Sequence, residues 1–215
     1  QRQLHLMPSP RPLPAALFAH VVALLAAPPL AAQEHALHAH AHEGMPALRP
    51  IPAGVLHTAA DVQFMQGMIA HHGQAIHMSR LAEERGADPR LLRFAQKIDQ
   101  SQESEIRLMR GWLVDRDQVA PDSVTWQAIM MPGMLTREEL AELETLRGEA
   151  FDRRFLELMI RHHEVALSMV AELLATPRAA QDVDINVLAN DIHTVQTAEI
   201  DLMRQMLANL EGNSR

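Results

Sequence analysis

Apolar positions recur along this chain with helical spacing. Phe64, Met68, His71, Ala75 and Met78 stand at i, i+4, i+7, i+11 and i+14, one face of a helix. Leu91, Ala95, Ile98, Gln102, Glu105, Met109 and Trp112 carry the same spacing in the next segment. Cap signals mark the ends. Thr58 is placed to cap the first helix and Gly86 to end it. Asp88-Pro89 opens the second with a capping residue and a proline at the first helical position. Thr136 with Glu139 is a capping-box pattern for a third helix, which Pro177 closes and Gly148 weakens from within. Asp184 is placed to open a fourth.

The pattern is written twice. Asp61–Met78 and Asp152–Met169 share an Asp, a Phe, a Met, an Ile, two adjacent His, an Ala and a Met at a constant offset of 91. Ile98, Gln102, Glu105, Ile106 and Met109 recur as Ile192, Gln196, Glu199, Ile200 and Met203 at an offset of 94. The three extra residues predict a longer inter-helix loop in the second copy. Each copy predicts a helical hairpin, and a lone hairpin would leave its apolar stripe in water. Two hairpins therefore predict an all-α four-helix bundle over 58–210, with repeat 1 at 58–115, a connector at 116–135 and repeat 2 at 136–210.

A routine bundle fills its stripe with Leu, Ile and Ala. Here the stripe holds His, Gln, Glu and Met in both copies, and such groups cost free energy when buried without partners. Neighbouring residues on a helix point about 100° apart. One His of each pair is therefore expected to face the bundle interior and the other its flank. Met68 lies three and four residues before His71 and His72, and Met159 stands likewise to His162 and His163, so a thioether can approach either ring. Met78, Met169, Met109 and Met203 complete the repeated sulfurs. The candidate metal ligands are these six Met and four His. Gln102, Glu105, Gln196 and Glu199 suit a supporting role, because metal-bound His usually donates its second ring N–H to a carboxylate or carbonyl; a purely structural network is the competing reading. Met130-Met131-Pro132-Gly133-Met134 lies in the connector, as a cover for the site or a plug for the bundle end. Asp61 and Asp152 precede each block, where the helix dipole favours an acid.

Residues 1–32 read as an export signal, with Arg2 and Arg11 ahead of an apolar run from Leu13 to Leu25 and small residues after it. The run is shorter than the roughly 20 apolar residues a membrane span needs. Cleavage after Ala32 is expected to leave an extracytoplasmic protein, periplasmic or secreted, with no membrane insertion. Residues 33–57 read as a flexible His/Pro-rich linker. His35, His38, His40 and His42 give it a weak, generic metal-binding character.

Composition narrows the chemistry. The chain has 13 Met, 13 His and no Cys, which removes disulfides, zinc knuckles, iron–sulfur clusters and thiol catalysis. Its formal net charge of −8 argues against nucleic acid as a partner. Thioether and imidazole together suit soft or borderline metals. No Glu-x-x-His occurs in either repeat, so a di-iron oxidase is not supported. Zincin, Gly-x-Ser-x-Gly and phosphate-loop signatures are also missing.

The motifs Met68-Ile69-Ala70-His71-His72-Gly73-Gln74-Ala75-Ile76-His77-Met78 and Gln102 to Met109, repeated as Met159 to Met169 and Gln196 to Met203, resemble those of the domain of unknown function 305 family. The resemblance covers about residues 58–210. It implies a ferritin-like four-helix fold and, from some members, periplasmic copper binding and copper resistance. It thereby favours Cu(I), with Cu(II) and Ag(I) as further cargo, and a copper transporter or chaperone as partner. The second copy departs from the first at Leu156 in place of Met65 and Ser168 in place of His77, so the two sites are expected to differ in affinity. The rival readings are a metal-free interaction or sensing bundle and a copper-dependent oxidase.

Overall fold

A computed structural model describes residues 44–129 and 131–213. It holds five α-helices and, among the described residues, no strand: α1 (Ala59–Glu84), α2 (Pro89–Asp115), α3 (Arg137–Thr145), α4 (Gly148–Ala175) and α5 (Val183–Asn213). The four long helices form the expected bundle. α1 packs on α2 and α4 on α5, and the two hairpins meet where α1 packs on α4.

Most of the caps stand where the sequence places them. Thr58 and Asp61 form a capping box at α1, Asp88 accepts from Arg90 N at α2, and Thr136 and Glu139 form a second box at α3. Two expectations are corrected. The third helix is broken in two at Leu146-Arg147, where Gly148 takes φ +55° and its N–H donates to Arg85 O at the end of α1. That left-handed conformation suits a glycine, and the break lets α4 start beside the end of α1. The opener of α5 is Asp182, whose carboxylate accepts from Asp184 N at 3.0 Å; Asp184 itself lies inside the helix.

The duplicated aspartates tie the hairpins together. Asp61 is fully buried and accepts from Ala180 N at 2.7 Å, in the loop between α4 and α5. Asp152 accepts from Asp88 N at 3.1 Å, in the loop between α1 and α2. Each copy thus holds the other's inter-helix loop, a stronger role than the dipole alone supplies. Burial of Asp152 raises its pKa, which the Asp88 N–H only partly offsets.

α1 is covered on nearly every side, because the connector runs along the face that α2 and α4 leave open. Gln66 donates to Val119 O, and Gln74 exchanges two hydrogen bonds with the backbone of Leu135. At Gly73 the chains approach so closely that a Cβ would stand 1.9 Å from Ser123 O. Residues 44–57 also lie against the bundle: Arg49 pairs with Asp117, and His57 is buried edge-on to Trp112 at 5.5 Å. His35, His38, His40 and His42, the expected signal at 1–32 and Met130 lie outside the described residues.

Gly73→Ala should lower thermal stability by the equivalent of about 1–3 kcal/mol through overpacking and expose the connector to protease. Gly111→Ala is its control, since a Cβ on that α2 residue meets nothing within 4 Å. It should be neutral or stabilising by up to about 1 kcal/mol. Equal melting of the two variants would contradict the close approach.

Candidate metal centre

The bundle core is two apolar clusters. One gathers Val62, Met68, Ile69, Met109, Trp112, Val170 and Ile185. The other gathers Met78, Leu91, Ile98, Phe151, Phe155, Met159 and Met203. Between them, at the middle of all four long helices, lies a polar layer made of the stripe residues.

His71 of α1 and His162 of α4 meet at its centre. Their rings stack with centroids 3.6 Å apart and planes 30° from parallel, and both residues are fully buried. His72 and His163 turn back into their own hairpins. His72 Nε2 lies 2.6 Å from Glu105 Oε2, and His163 Nε2 lies 3.0 Å from Glu199 Oε2. The His of each pair expected on the flank is therefore fully buried as well. The carboxylates reach the outer His, while Gln102 and Gln196 are buried on the same stripe with neither amide atom hydrogen-bonded. Both ring nitrogens of His71 and of His162 also lack a hydrogen-bond partner. None of these eight polar atoms meets a partner at hydrogen-bond geometry, although each inner ring draws a weak favourable interaction from the backbone of the opposite His.

Electrostatics follow from that burial. Burial pushes the His71 imidazole well below its ordinary value of 6.5, and the neighbouring imidazoles of His72 and His163 push the same way. His162 is lowered likewise, by burial first and then by His71, His163 and His72. Both rings are neutral near pH 7, the form that binds a metal. The two carboxylates differ. Glu199 is nearly buried and also faces Lys97 Nζ at 3.4 Å, whereas the Glu105 side chain is 18% exposed. Burial raises the Glu199 pKa, but His163 and Lys97 together hold it below the ordinary carboxylate value.

Thioethers flank the layer on both sides. Met68 and Met109 sit in the first cluster, with partly buried Met169 packed against it; Met78, Met159 and Met203 sit in the second. The repeat relates one trio to the other: Met68 to Met159, Met169 to Met78 and Met109 to Met203. Among the described residues no group of three or more His, Cys, Asp or Glu is arranged to hold a metal ion. The stacked rings present their faces to each other, and their nitrogens point outward in plane. The donor set fits a soft ion: neutral imidazole, thioether and no thiolate.

A family model described as a domain of unknown function, DUF305, matches residues 61–207. The chain belongs to this family. A DUF305 fragment from Deinococcus radiodurans is 32% identical, with a TM-score of 0.62 over 71% of this chain and 98% of that one. A DUF305 protein of Streptomyces coelicolor, described as a candidate secreted protein, is 31% identical, with a TM-score of 0.63 over 71% and 94%. CopM in its Cu(I)-bound form is 30% identical, with a TM-score of 0.57 over 69% of this chain and 96% of CopM. CopM structures with Cu(II) and with Ag are similar to this chain as well. An uncharacterized protein, L153, of Acanthamoeba polyphaga mimivirus is 43% identical over 56 residues, 26% of this DUF305 chain and 37% of the relative. No described helix is long and apolar enough to cross a membrane.

The depressed imidazoles set a pH dependence. The unfolded chain protonates His71 and His162 near 6.5 and the fold resists it, so below that pH the unfolded state holds more protons. Their contribution to stability is present above 6.5 and is lost as the pH falls toward the folded values. Chelator-treated protein should lose up to about 1.4 kcal/mol per pH unit for each group between pH 6.5 and pH 5. The double variant His71→Leu/His162→Leu should flatten that slope and melt no lower at pH 7, since it removes four orphaned polar atoms. An unchanged slope, or a large loss of stability at pH 7, would contradict this description of the layer.

Proposed function

We propose that this protein binds copper outside the cytoplasm, sequestering or handing over Cu(I), and Cu(II) or Ag(I) in the same way, in metal homeostasis or resistance. The observation that carries the reading is the buried imidazole pair with no hydrogen-bond partners, flanked on both sides by repeated thioethers. A buried unpaired polar atom costs about 1–3 kcal/mol. Eight of them rival the roughly 5–15 kcal/mol net stability of a whole domain. The layer therefore takes partners from outside the chain, and its donors select a soft cation.

In this reading Met68, His71, His72, Met78, Met109, Met159, His162, His163, Met169 and Met203 are the ligands, drawn on in part at any one time. Glu105 and Glu199 orient His72 and His163, while Gln102 and Gln196 hold the layer polar beside the inner rings. His35, His38, His40 and His42 add weak capture ahead of the bundle. The likeness to CopM, recorded with copper and with silver, supports this assignment. Export through residues 1–32, a linker at 33–57 and the bundle at 58–210 complete the proposal, with a copper transporter or chaperone as the partner that exchanges metal.

A second reading has one observation in its favour: no three His or carboxylate side chains are arranged as a ready metal site among the described residues. In that reading the bundle is a metal-free interaction module and the His stack is packing. One titration separates the two. Mature protein titrated with Cu(I) against a competing chelator should take up metal, and its melting temperature should rise, by about 2.7 kcal/mol of stabilisation at a free metal concentration 100 times Kd. Replacing His71, His72, His162 and His163 together should remove most uptake. No Cu(I) bound, with unchanged melting, would overturn the proposal.

A further inference from the structure

Metal bound at the polar layer has to pass a bundle whose candidate ligands are nearly all buried. All four His are fully buried, and so are Met68, Met78, Met109, Met159 and Met203. Of the ten candidate ligands, only Met169 is partly exposed. Another partly exposed thioether, Met131, comes to the same place from the connector.

Three features hold it there. Met131-Pro132-Gly133-Met134 forms a tight turn: Met134 N donates to Met131 O at 3.2 Å and Gly133 takes φ +87°. Proline followed by a positive-φ glycine is the signature of a type II turn. The turn is seated on α4, where a Cβ at Gly133 would stand 2.6 Å from Val165 Cγ2, and Val165 lies one helical turn before Met169. The Met131 sulfur enters a notch in α1 made by Gly67. A Cβ there would stand 3.1 Å from Met131 Sδ and 3.5 Å from Met169 Cε, so both thioether ends converge on one point. Gly67 is also one helical turn from His71 on the same face of α1. The matching position of the second copy is the buried Leu158, which leaves no such notch.

We infer that Met131 and Met169 form an accessible thioether pair at the Gly67 notch, which captures a soft monovalent cation and is its entrance to the buried layer. The inference rests on the metal-binding reading above and adds a donor from outside the repeated units. Two thioethers give a weak, exchangeable site, as an entrance requires. The repeat has no second such thioether, because Met78, the repeat mate of Met169, is fully buried.

The test uses Ag(I) as the probe. Met131→Leu keeps an apolar side chain of similar volume and removes the sulfur. Gly67→Ala reaches the same end differently, by pushing the sulfur out of its notch. Both variants should load Ag(I) from a chelator about tenfold more slowly than the wild type, which corresponds to about 1.4 kcal/mol in the entry step. In the His71→Leu/His162→Leu background, Ag(I) should still protect Met131 and Met169 from peroxide oxidation, read by peptide mass spectrometry. Wild-type loading rates in both variants, with Met131 and Met169 oxidised equally with and without Ag(I), would overturn this inference alone. No Ag(I) uptake by the wild-type protein would overturn the metal-binding reading along with it.

Discussion

The constraint on which this structure depends is a polar layer locked inside an apolar bundle. His71 and His162 stack at 3.6 Å with no ring nitrogen at hydrogen-bond geometry to a partner, and Gln102 and Gln196 are buried on the same stripe with unpaired amides. Such a layer is expensive in an empty fold. It separates the apolar core into two clusters and places six thioethers around itself. Packing alone would favour Leu or Ile at these positions. Packing accounts for the thioethers, which fill gaps in the apolar clusters, but not for the unpaired imidazoles and amides.

Duplication makes the layer symmetric, and reciprocal ties keep it in register. Asp61 holds the α4–α5 loop and Asp152 holds the α1–α2 loop, so neither hairpin can shift without breaking a buried charge-assisted bond. The symmetry then fails in two informative places. Lys97 reaches Glu199, while Glu105 is more open to solvent, so the two His–carboxylate pairs are electrostatically unequal. The connector covers α1 and has no counterpart on α4. Gln66, Gly67, Gly73 and Gln74 of α1 become Glu157, Leu158, Glu164 and Val165 in the second copy. All four α1 residues face the connector, whereas on α4 the connector's Gly133 turn meets Val165.

Much of this was legible in the sequence. The 91-residue offset, the helical spacing of His and Met and the caps at Thr58, Asp88 and Thr136 lead to the observed bundle with its His pairs at mid-helix. What was not legible depends on contacts between distant segments. Gly148 looked like a weak point in one helix; the hydrogen bond from its N–H to Arg85 O makes it the start of another. The outer His of each pair looked like a flank residue, because angular spacing cannot say that the hairpin partner supplies a carboxylate there. Gly67 and Gly73 looked like ordinary helical positions until the connector lay against them. That connector carries no periodicity, so its path along α1 had no signal to follow.

The central claim is that buried imidazole and thioether groups of the repeated motifs ligate a soft metal together. Copper X-ray absorption on the Cu(I)-loaded mature protein tests it most directly. The account predicts a low-coordinate Cu(I) centre with both sulfur and imidazole nitrogen scatterers, and loss of the imidazole signal in the His71→Leu/His162→Leu protein. A spectrum with only nitrogen and oxygen neighbours, unchanged in that variant, would contradict it.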